Sequence, residues 1–93
     1  MMRLICLLLA LTTAPLRADT IPLGDRSYRI DLPSQPQGAP ILIALHGGGG
    51  SADQFARASN LSAAARSLGY AVIYPQGTGR AATWNGGYCC GAA

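Results

Sequence analysis

The stretch Ile41-Leu-Ile-Ala-Leu-His-Gly-Gly-Gly-Gly50 joins an apolar run to a histidine and four consecutive glycines. A helix-start pattern follows at once in Ser51-Ala-Asp-Gln54, with serine at the cap position and glutamine three residues later. A continuous apolar run is typical of a strand buried on both faces of a mainly parallel sheet. The bare backbone of the glycines leaves N–H groups free to bind an anion, a phosphate or the oxyanion of an ester-cleaving transition state.

The residues before this stretch predict a strand hairpin. Arg26 to Leu32 alternates apolar and polar side chains, which is typical of a half-buried strand. The turn signal Gly24-Asp25 precedes it, so we expect Thr20 to Leu23 to pair with it. Pro33 to Pro40 is rich in proline and glutamine and predicts an exposed connector.

The residues after the glycines predict helix and then strand. Asn60 is expected to end one short helix and cap the next, and Gly69 to end the second. Tyr70 to Tyr74 predicts another buried strand, closed by Pro75. The order fits an α/β sheet with a right-handed strand–helix–strand crossover. Apolar residues expected to pack on the sheet recur at helical spacing at Phe55, Ala58, Leu61, Ala65 and Leu68.

The N-terminus has the layout of a secretory signal peptide. Met1-Met2-Arg3 gives a positive start, Leu4 to Leu11 is apolar, and a more polar stretch ends at Ala18. The apolar run is shorter than the roughly 20 residues of a bilayer-spanning helix. We therefore expect cleavage after Ala18, a mature part over residues 19–93, and a secreted protein, extracellular or periplasmic, without stable membrane association.

Charge excludes nucleic acid as a partner. The chain has seven arginines, no lysine and four aspartates, for a net charge of +3. Removal of Arg3 and Arg17 with the signal leaves five arginines against four aspartates, or +1. No basic stripe for nucleic acid and no polybasic membrane patch remains.

Two nucleotide interpretations of the glycine turn fail. A phosphate loop needs a lysine on the phosphates, and the chain has none. Gly47, Gly49 and Ala52 satisfy a dinucleotide pattern, but that fold also needs an acidic residue about 20 positions further on. Asp53 is the last acidic residue of the chain. We predict no cofactor and no metal.

The oxyanion interpretation fits better. In α/β-hydrolases one oxyanion donor comes from the loop between the third strand and the first helix, where an HGGG-type motif occurs. Here that loop reads His46-Gly47-Gly48-Gly49-Gly50, and the hairpin supplies the two earlier strands. A plain flexible turn would explain the glycines but neither the histidine nor the capped helix.

The paired cysteines near the C-terminus fit an oxidising compartment. Cys6 lies in the expected signal, which leaves Cys89 and Cys90. Adjacent cysteines bridge each other only through a strained ring, so separate partners beyond Ala93 are the expectation. Two buried thiols are the alternative.

Most of the mature chain resembles a group of secreted esterases. The segments LIALHGGGGSADQFARASNLSAAARSLGYAVIYPQGTGR and TWNGGYCCG are similar to those of polyhydroxybutyrate depolymerase-like and feruloyl esterase-like enzymes. The resemblance implies the N-terminal part of an α/β-hydrolase fold, incomplete in these 93 residues. It also implies an acyl-enzyme route in which serine attacks the ester carbonyl, histidine takes its proton and aspartate orients the histidine.

The resemblance assigns roles within the glycine loop. Gly48 would supply the oxyanion N–H, with Gly47 and Gly49 shaping the turn. His46 would support the loop and is not expected to be the catalytic base, because the fold's order is serine, acid, histidine.

Further along, Trp84 and the pair Cys89-Cys90 match a family loop near the active-site entrance. We expect the pair to be structural, with disulfide partners later in a full-length protein, and Trp84 to be a candidate for substrate contact. The implied substrate is an ester, with polyester, feruloylated polysaccharide and short acyl ester all open.

One departure from the family is large. No G-x-S-x-G occurs; Ser51, in Gly49-Gly50-Ser51-Ala52-Asp53, comes closest but has the features of a helix cap. Nucleophile, acid and base are therefore expected beyond Ala93, and the chain alone is predicted inactive. The alternative is a small exported binding or structural protein that uses the same half-fold without chemistry.

Overall fold

A computed structural model of the protein describes residues 17–90. It contains a four-stranded mixed sheet and two helices, and so is a small α/β domain. The expected signal segment lies outside the described residues, apart from Arg17 and Ala18. The elements are β1 (Arg17–Leu23), β2 (Arg26–Leu32), β3 (Ile41–Ile43), α1 (Ala52–Ser59), α2 (Leu61–Ser67) and β4 (Ala71–Pro75).

The predicted hairpin is confirmed. β1 pairs antiparallel with β2 from Arg17 opposite Leu32 to Leu23 opposite Arg26. Gly24, at φ +62°, supplies the left-handed conformation that the tight turn needs. β1 is longer than expected, since it begins at Arg17 instead of Thr20.

The sheet order is β1-β2-β4-β3, so the crossover joins two neighbouring strands. β3 and β4 are parallel, with Leu42 opposite Val72, as the predicted strand–helix–strand unit requires. β4 lies in the interior of the sheet and its Val72 and Tyr74 are fully buried. Burial of the second predicted strand is therefore confirmed, although Tyr70 lies before the strand and is 39% exposed, and Pro75 belongs to it.

Burial of β3 on both faces is wrong. β3 is an edge strand, and Ile41 and Ile43 are 58% and 64% exposed. Both helices pack against β4 on the face of the sheet opposite to the side chains of Ile41 and Ile43, and α1 also touches β2. Only Leu42 of β3 turns toward that face, where it borders an apolar groove with α2.

β3 is also shorter than the apolar run, and the reason lies in β4. Ala71 N–H bonds to Pro40 C=O, and Ala44 N–H bonds to Ile73 C=O at 2.9 Å. Continued in this register, the ladder needs an N–H at position 75 for Ala44 C=O. Pro75 has none, so regular pairing stops and the chain enters the glycine loop.

The helix boundaries follow the predicted signals. Ser51 Oγ accepts the Gln54 N–H at 3.1 Å and caps α1. Asn60 separates the helices in the left-handed conformation, at φ +53°, but makes no side-chain cap bond to α2. Gly69, at φ +80°, closes α2, with Tyr70 N–H bonding to Ala65 C=O.

Three of the five residues expected to pack on the sheet do so. Ala65 is buried, and Phe55 and Leu61 are half-buried against the core, as expected. Ala58 is exposed because it lies off the face of α1 that carries Ala52, Phe55 and Ala56, and Leu68 is exposed because α2 ends before it. The core itself is small and consists of Ala52, Ala56, Ala65, Val72 and Tyr74.

A buried polar network joins the sheet to α2. Asp31, 2% exposed, receives two hydrogen bonds from the Arg29 guanidinium at 2.6 and 3.0 Å. Ser62 Oγ donates to Asp31 Oδ2 at 2.5 Å and lies 2.7 Å from Tyr74 Oη. The hydrogen bond to Asp31 raises the pKa of Arg29, against an opposing effect of desolvation. Every buried polar side-chain atom of the described residues has a partner.

Candidate functional site

The glycine loop lies between β3 and α1, at the carboxyl edge of the two parallel strands. It turns at Gly48 and Gly49, and Gly49 has φ +80°, a conformation that favours glycine. Gly50 N–H closes the turn on Gly47 C=O at 3.1 Å. The loop is therefore an ordered turn with a defined hydrogen-bond pattern.

The backbone N–H groups of the loop divide into two sets. Gly49 N–H bonds to Ala81 C=O at 2.7 Å, and Gly50 N–H bonds to Gly47 C=O. Within residues 17–90, the N–H groups of Gly47 and Gly48 have no hydrogen-bond acceptor. Gly48, the predicted oxyanion donor, is therefore one of two loop residues whose N–H is available to a ligand.

His46 sits behind the loop and is 4% exposed. Gly77 N–H donates to its Nε2 at 2.9 Å, so Nε2 carries no proton. In a neutral imidazole the proton is then on Nδ1, which donates to Gly47 C=O at 2.7 Å. Both ring nitrogens are engaged by backbone groups, which is the environment of a supporting residue and not of a catalytic base.

These contacts fix the orientation of one peptide group. Gly47 C=O accepts both His46 Nδ1–H and Gly50 N–H. The peptide that carries this carbonyl also carries the Gly48 N–H, which points the opposite way because the peptide is planar and trans. The two bonds to the carbonyl therefore hold the free N–H in one direction.

Trp84 contacts the same histidine. Its indole N–H donates to His46 C=O at 2.8 Å, and the two ring centroids are 5.0 Å apart. The indole is half-buried in this contact. The structure places Trp84 against His46 and not in the wall of the neighbouring cleft.

That cleft opens between the glycine loop and α1, with a volume of about 260 Å³. Its walls combine loop backbone with polar and apolar side chains of α1. The lining residues are His46, Gly47, Gly48, Gly50, Ser51, Gln54, Phe55 and Ala58. It has room for a small acyl group beside the Gly48 backbone.

Ser51 borders the cleft, yet its hydroxyl serves the helix. Ser51 Oγ accepts the Gln54 N–H, and its backbone carbonyl accepts the Phe55 N–H. His46, whose ring nitrogens bond to Gly47 and Gly77, does not hydrogen-bond to this hydroxyl. Ser51 is therefore a helix cap here.

In the segment after β4, sequence reasoning missed the contacts that Gln76, Gly77 and Ala81 make with the site. Gln76 Oε1 accepts the Ala52 N–H at 2.9 Å, which satisfies a free donor at the start of α1. Thr78 and Thr83 form an isolated antiparallel bridge, which closes a turn that contains Ala81. The sequence does carry a signal for these contacts: the glycine loop and this segment each follow a predicted parallel strand, and the carboxyl ends of parallel strands meet at one edge of the sheet.

Cys89 and Cys90 are bonded to each other, with Cα atoms 3.7 Å apart. This differs from the expectation of separate partners beyond Ala93. Cys90 has φ +80°, in the left-handed region. The pair lies in an exposed bend that follows Trp84.

No group of three or more His, Cys, Asp or Glu side chains within residues 17–90 is arranged to hold a metal ion. Neither helix there has the length and apolar character of a membrane span.

Comparison with known proteins points to an esterase-like family. No protein-family model matches the chain. The curated protein named "Putative esterase NocK", from Nocardia uniformis subsp. tsuyamanensis, is 43% identical over 56 residues. The match covers 56% of this chain and 16% of that protein, so the chain spans about a sixth of the relative's length. The likeness supports a hydrolase-like function and is silent on substrate.

Proposed function

We propose that this chain supplies the oxyanion loop of a secreted serine carboxylic-ester hydrolase. The observation that carries the proposal is the Gly48 N–H, which lacks a protein acceptor within residues 17–90 and is held in one direction beside the cleft. A preorganised N–H of this kind stabilises the negative oxygen that forms when an ester carbonyl is attacked.

The position of the loop supports this role. It follows the third strand and precedes the first helix, which is where an α/β-hydrolase places one of its two oxyanion donors. The second donor in such enzymes is the N–H after the nucleophile. The likeness to an esterase is consistent with the same assignment.

The complete enzyme, on this proposal, uses the acyl-enzyme route with a serine, an acid and a histidine supplied by sequence outside these 93 residues. Its substrate is a carboxylic ester, either a polyester, a feruloylated polysaccharide or a short acyl ester, as the sequence resemblance implies. Export after removal of residues 1–18 is part of the same proposal. The chain by itself lacks a G-x-S-x-G and is proposed to be inactive.

A competence assay tests the last statement. Purified residues 19–93 are incubated with p-nitrophenyl butyrate and, separately, with a fluorophosphonate that labels activated serines. We expect turnover no faster than the buffer rate and no label. Turnover that the fluorophosphonate abolishes would overturn the proposal that the chain has no nucleophile, and Ser51→Ala would show whether Ser51 is that nucleophile.

A second experiment tests the hydrolase assignment itself. Sequencing the locus downstream of codon 93 is expected to find, in frame, a G-x-S-x-G followed by an acid and a histidine. The joined open reading frame should then hydrolyse short p-nitrophenyl esters, and Gly48→Pro, which removes the backbone N–H, should reduce kcat by about 100-fold or more, as loss of an oxyanion donor does. A confirmed stop at codon 94 with stable, exported protein would favour the non-catalytic alternative.

A further inference from the structure

Three groups outside the glycine loop converge on His46. Gly77 N–H occupies its Nε2, Trp84 N–H occupies its backbone carbonyl, and the indole ring lies 5.0 Å from the imidazole. All three come from the segment that follows β4. This segment therefore contacts a ring nitrogen, the backbone carbonyl and the aromatic ring of His46.

The bond from Gly77 has a chemical consequence for the other side of the ring. A backbone N–H only donates, so Nε2 must accept and the proton of the neutral ring must be on Nδ1. That proton is the one donated to Gly47 C=O. With the other tautomer, Nε2–H would face Gly77 N–H, and Nδ1 would face a carbonyl oxygen with no proton between them.

The resulting chain of bonds runs from one loop to the other. It starts at Gly77 N–H, passes through the imidazole to Gly47 C=O, and ends at the Gly48 N–H of the same peptide. Bonds in such a chain polarise one another, so each makes the next a better donor. The chain also sets direction, because the Gly47–Gly48 peptide is planar.

We propose that Trp84 and Gly77 are positioning residues for the Gly48 N–H, acting by holding His46 in the Nδ1–H tautomer and in one orientation. Neither residue touches the reacting atoms. The catalytic meaning of the proposal rests on the proposed oxyanion role of Gly48, whereas the coupling between Trp84, His46 and Gly48 does not depend on it.

Local sterics at Gly77 support this assignment. A Cβ at position 77 would lie 3.0 Å from His46 Cε1 and 2.8 Å from the carbonyl atoms of Ala82. The backbone can thus approach the imidazole closely enough to donate only if residue 77 is glycine. Trp84 is the complementary restraint, since its N–H anchors the backbone from which the imidazole extends.

The test is ¹⁵N NMR of the full chain, with the imidazole nitrogens of its single histidine and the Gly48 amide as reporters. In the unaltered protein we expect a protonated Nδ1 and an unprotonated Nε2. In Trp84→Phe, which keeps an aromatic ring but has no N–H, we expect the Nε2 resonance to move toward the protonated position and the Gly48 amide to shift. The Val72 and Tyr74 amides report whether the sheet is intact.

Tyr88→Phe is the matched control, because Tyr88 is fully exposed in the same C-terminal segment. It should leave both reporters unchanged. A protonated Nε2 in the unaltered protein would overturn the proposal, and this measurement decides the matter even if the variants do not fold. Unchanged reporters in a folded Trp84→Phe would remove Trp84 from the mechanism and leave it a packing role. Absence of esterase activity in the joined reading frame would refute the proposed function without moving these NMR signals.

Discussion

Pro75 lies at the rung of the β3–β4 ladder where an N–H would be needed to bond to Ala44 C=O. The proline withholds that donor, and β3 ends at Ile43, three residues before His46. The chain is thereby released from the sheet in time to form the glycine loop. One residue of β4 thus determines where the candidate site begins.

Replacement of this proline should lengthen β3. In Pro75→Val the new N–H can bond to Ala44 C=O, and a β-branched residue suits the strand. We expect the residue 75 amide to be protected from hydrogen exchange. The Gly49 amide, which bonds to Ala81 C=O in the unaltered protein, should exchange faster because the loop is drawn toward the sheet. Pro36→Ala, in the exposed connector, is the control. An unprotected residue 75 amide would contradict this account of the strand end.

Gly48 and Gly49 should respond differently to alanine. At Gly48 a Cβ would meet Thr83 Oγ1 at 3.4 Å, an ordinary contact, so Gly48→Ala should fold with little loss of stability. At Gly49 the backbone has φ +80°, and a side chain in the left-handed region costs about 1–2 kcal/mol. Urea denaturation of both variants measures the difference. Equal destabilisation would show that the turn differs from the one described.

The buried Asp31 carboxylate should contribute more to the free energy of unfolding than an exposed aspartate does. Asp31→Asn removes the charge that faces Arg29, and breaking a buried pair in this way typically costs about 3–5 kcal/mol. Asp19→Asn, at an exposed position in β1, should change the free energy of unfolding by less than about 0.5 kcal/mol. Chemical denaturation of the two variants gives the comparison. A loss below about 1 kcal/mol for Asp31→Asn would mean that the network contributes little.

The free edge at β3 should drive self-association. Ile41 and Ile43 are exposed there, and the strand carries neither a charge nor a proline to discourage pairing with another chain. We expect concentration-dependent association in sedimentation velocity, reduced by Ile43→Lys. Leu23→Lys, which also replaces an exposed aliphatic residue but on the opposite edge strand, should have a smaller effect. A monomeric unaltered protein at all concentrations would contradict this expectation.

Structural features that depend on residues close together in the chain could be predicted from the sequence. The cap at Ser51, the break at Asn60 and the stop at Gly69 each depend on the residue's own backbone preference or on a bond to a near neighbour. The hairpin and the crossover follow from the period of the apolar residues and from the turn between them. These features placed the glycine loop correctly between a strand and a helix.

Features that depend on distant partners could not be predicted in the same way. The end of β3 depends on Pro75, more than 30 positions later, and the role of Ser62 depends on Asp31, which is 31 positions earlier. The family resemblance places Trp84 near the active-site entrance, but only the fold shows that its indole bonds to His46, 38 positions away. The prediction that β3 is buried on both faces was wrong for the same reason, because an apolar run does not indicate which strand lies at the edge of the sheet.

The hydrogen bond from Gly49 N–H to Ala81 C=O, at 2.7 Å, has a practical consequence for anyone who wishes to move this loop to another protein. A graft of residues 46–51 alone would carry the glycines without the segment that holds them. The transferable unit is a pair of loops, 44–51 and 76–84, and a host needs two adjacent parallel strands to present them side by side.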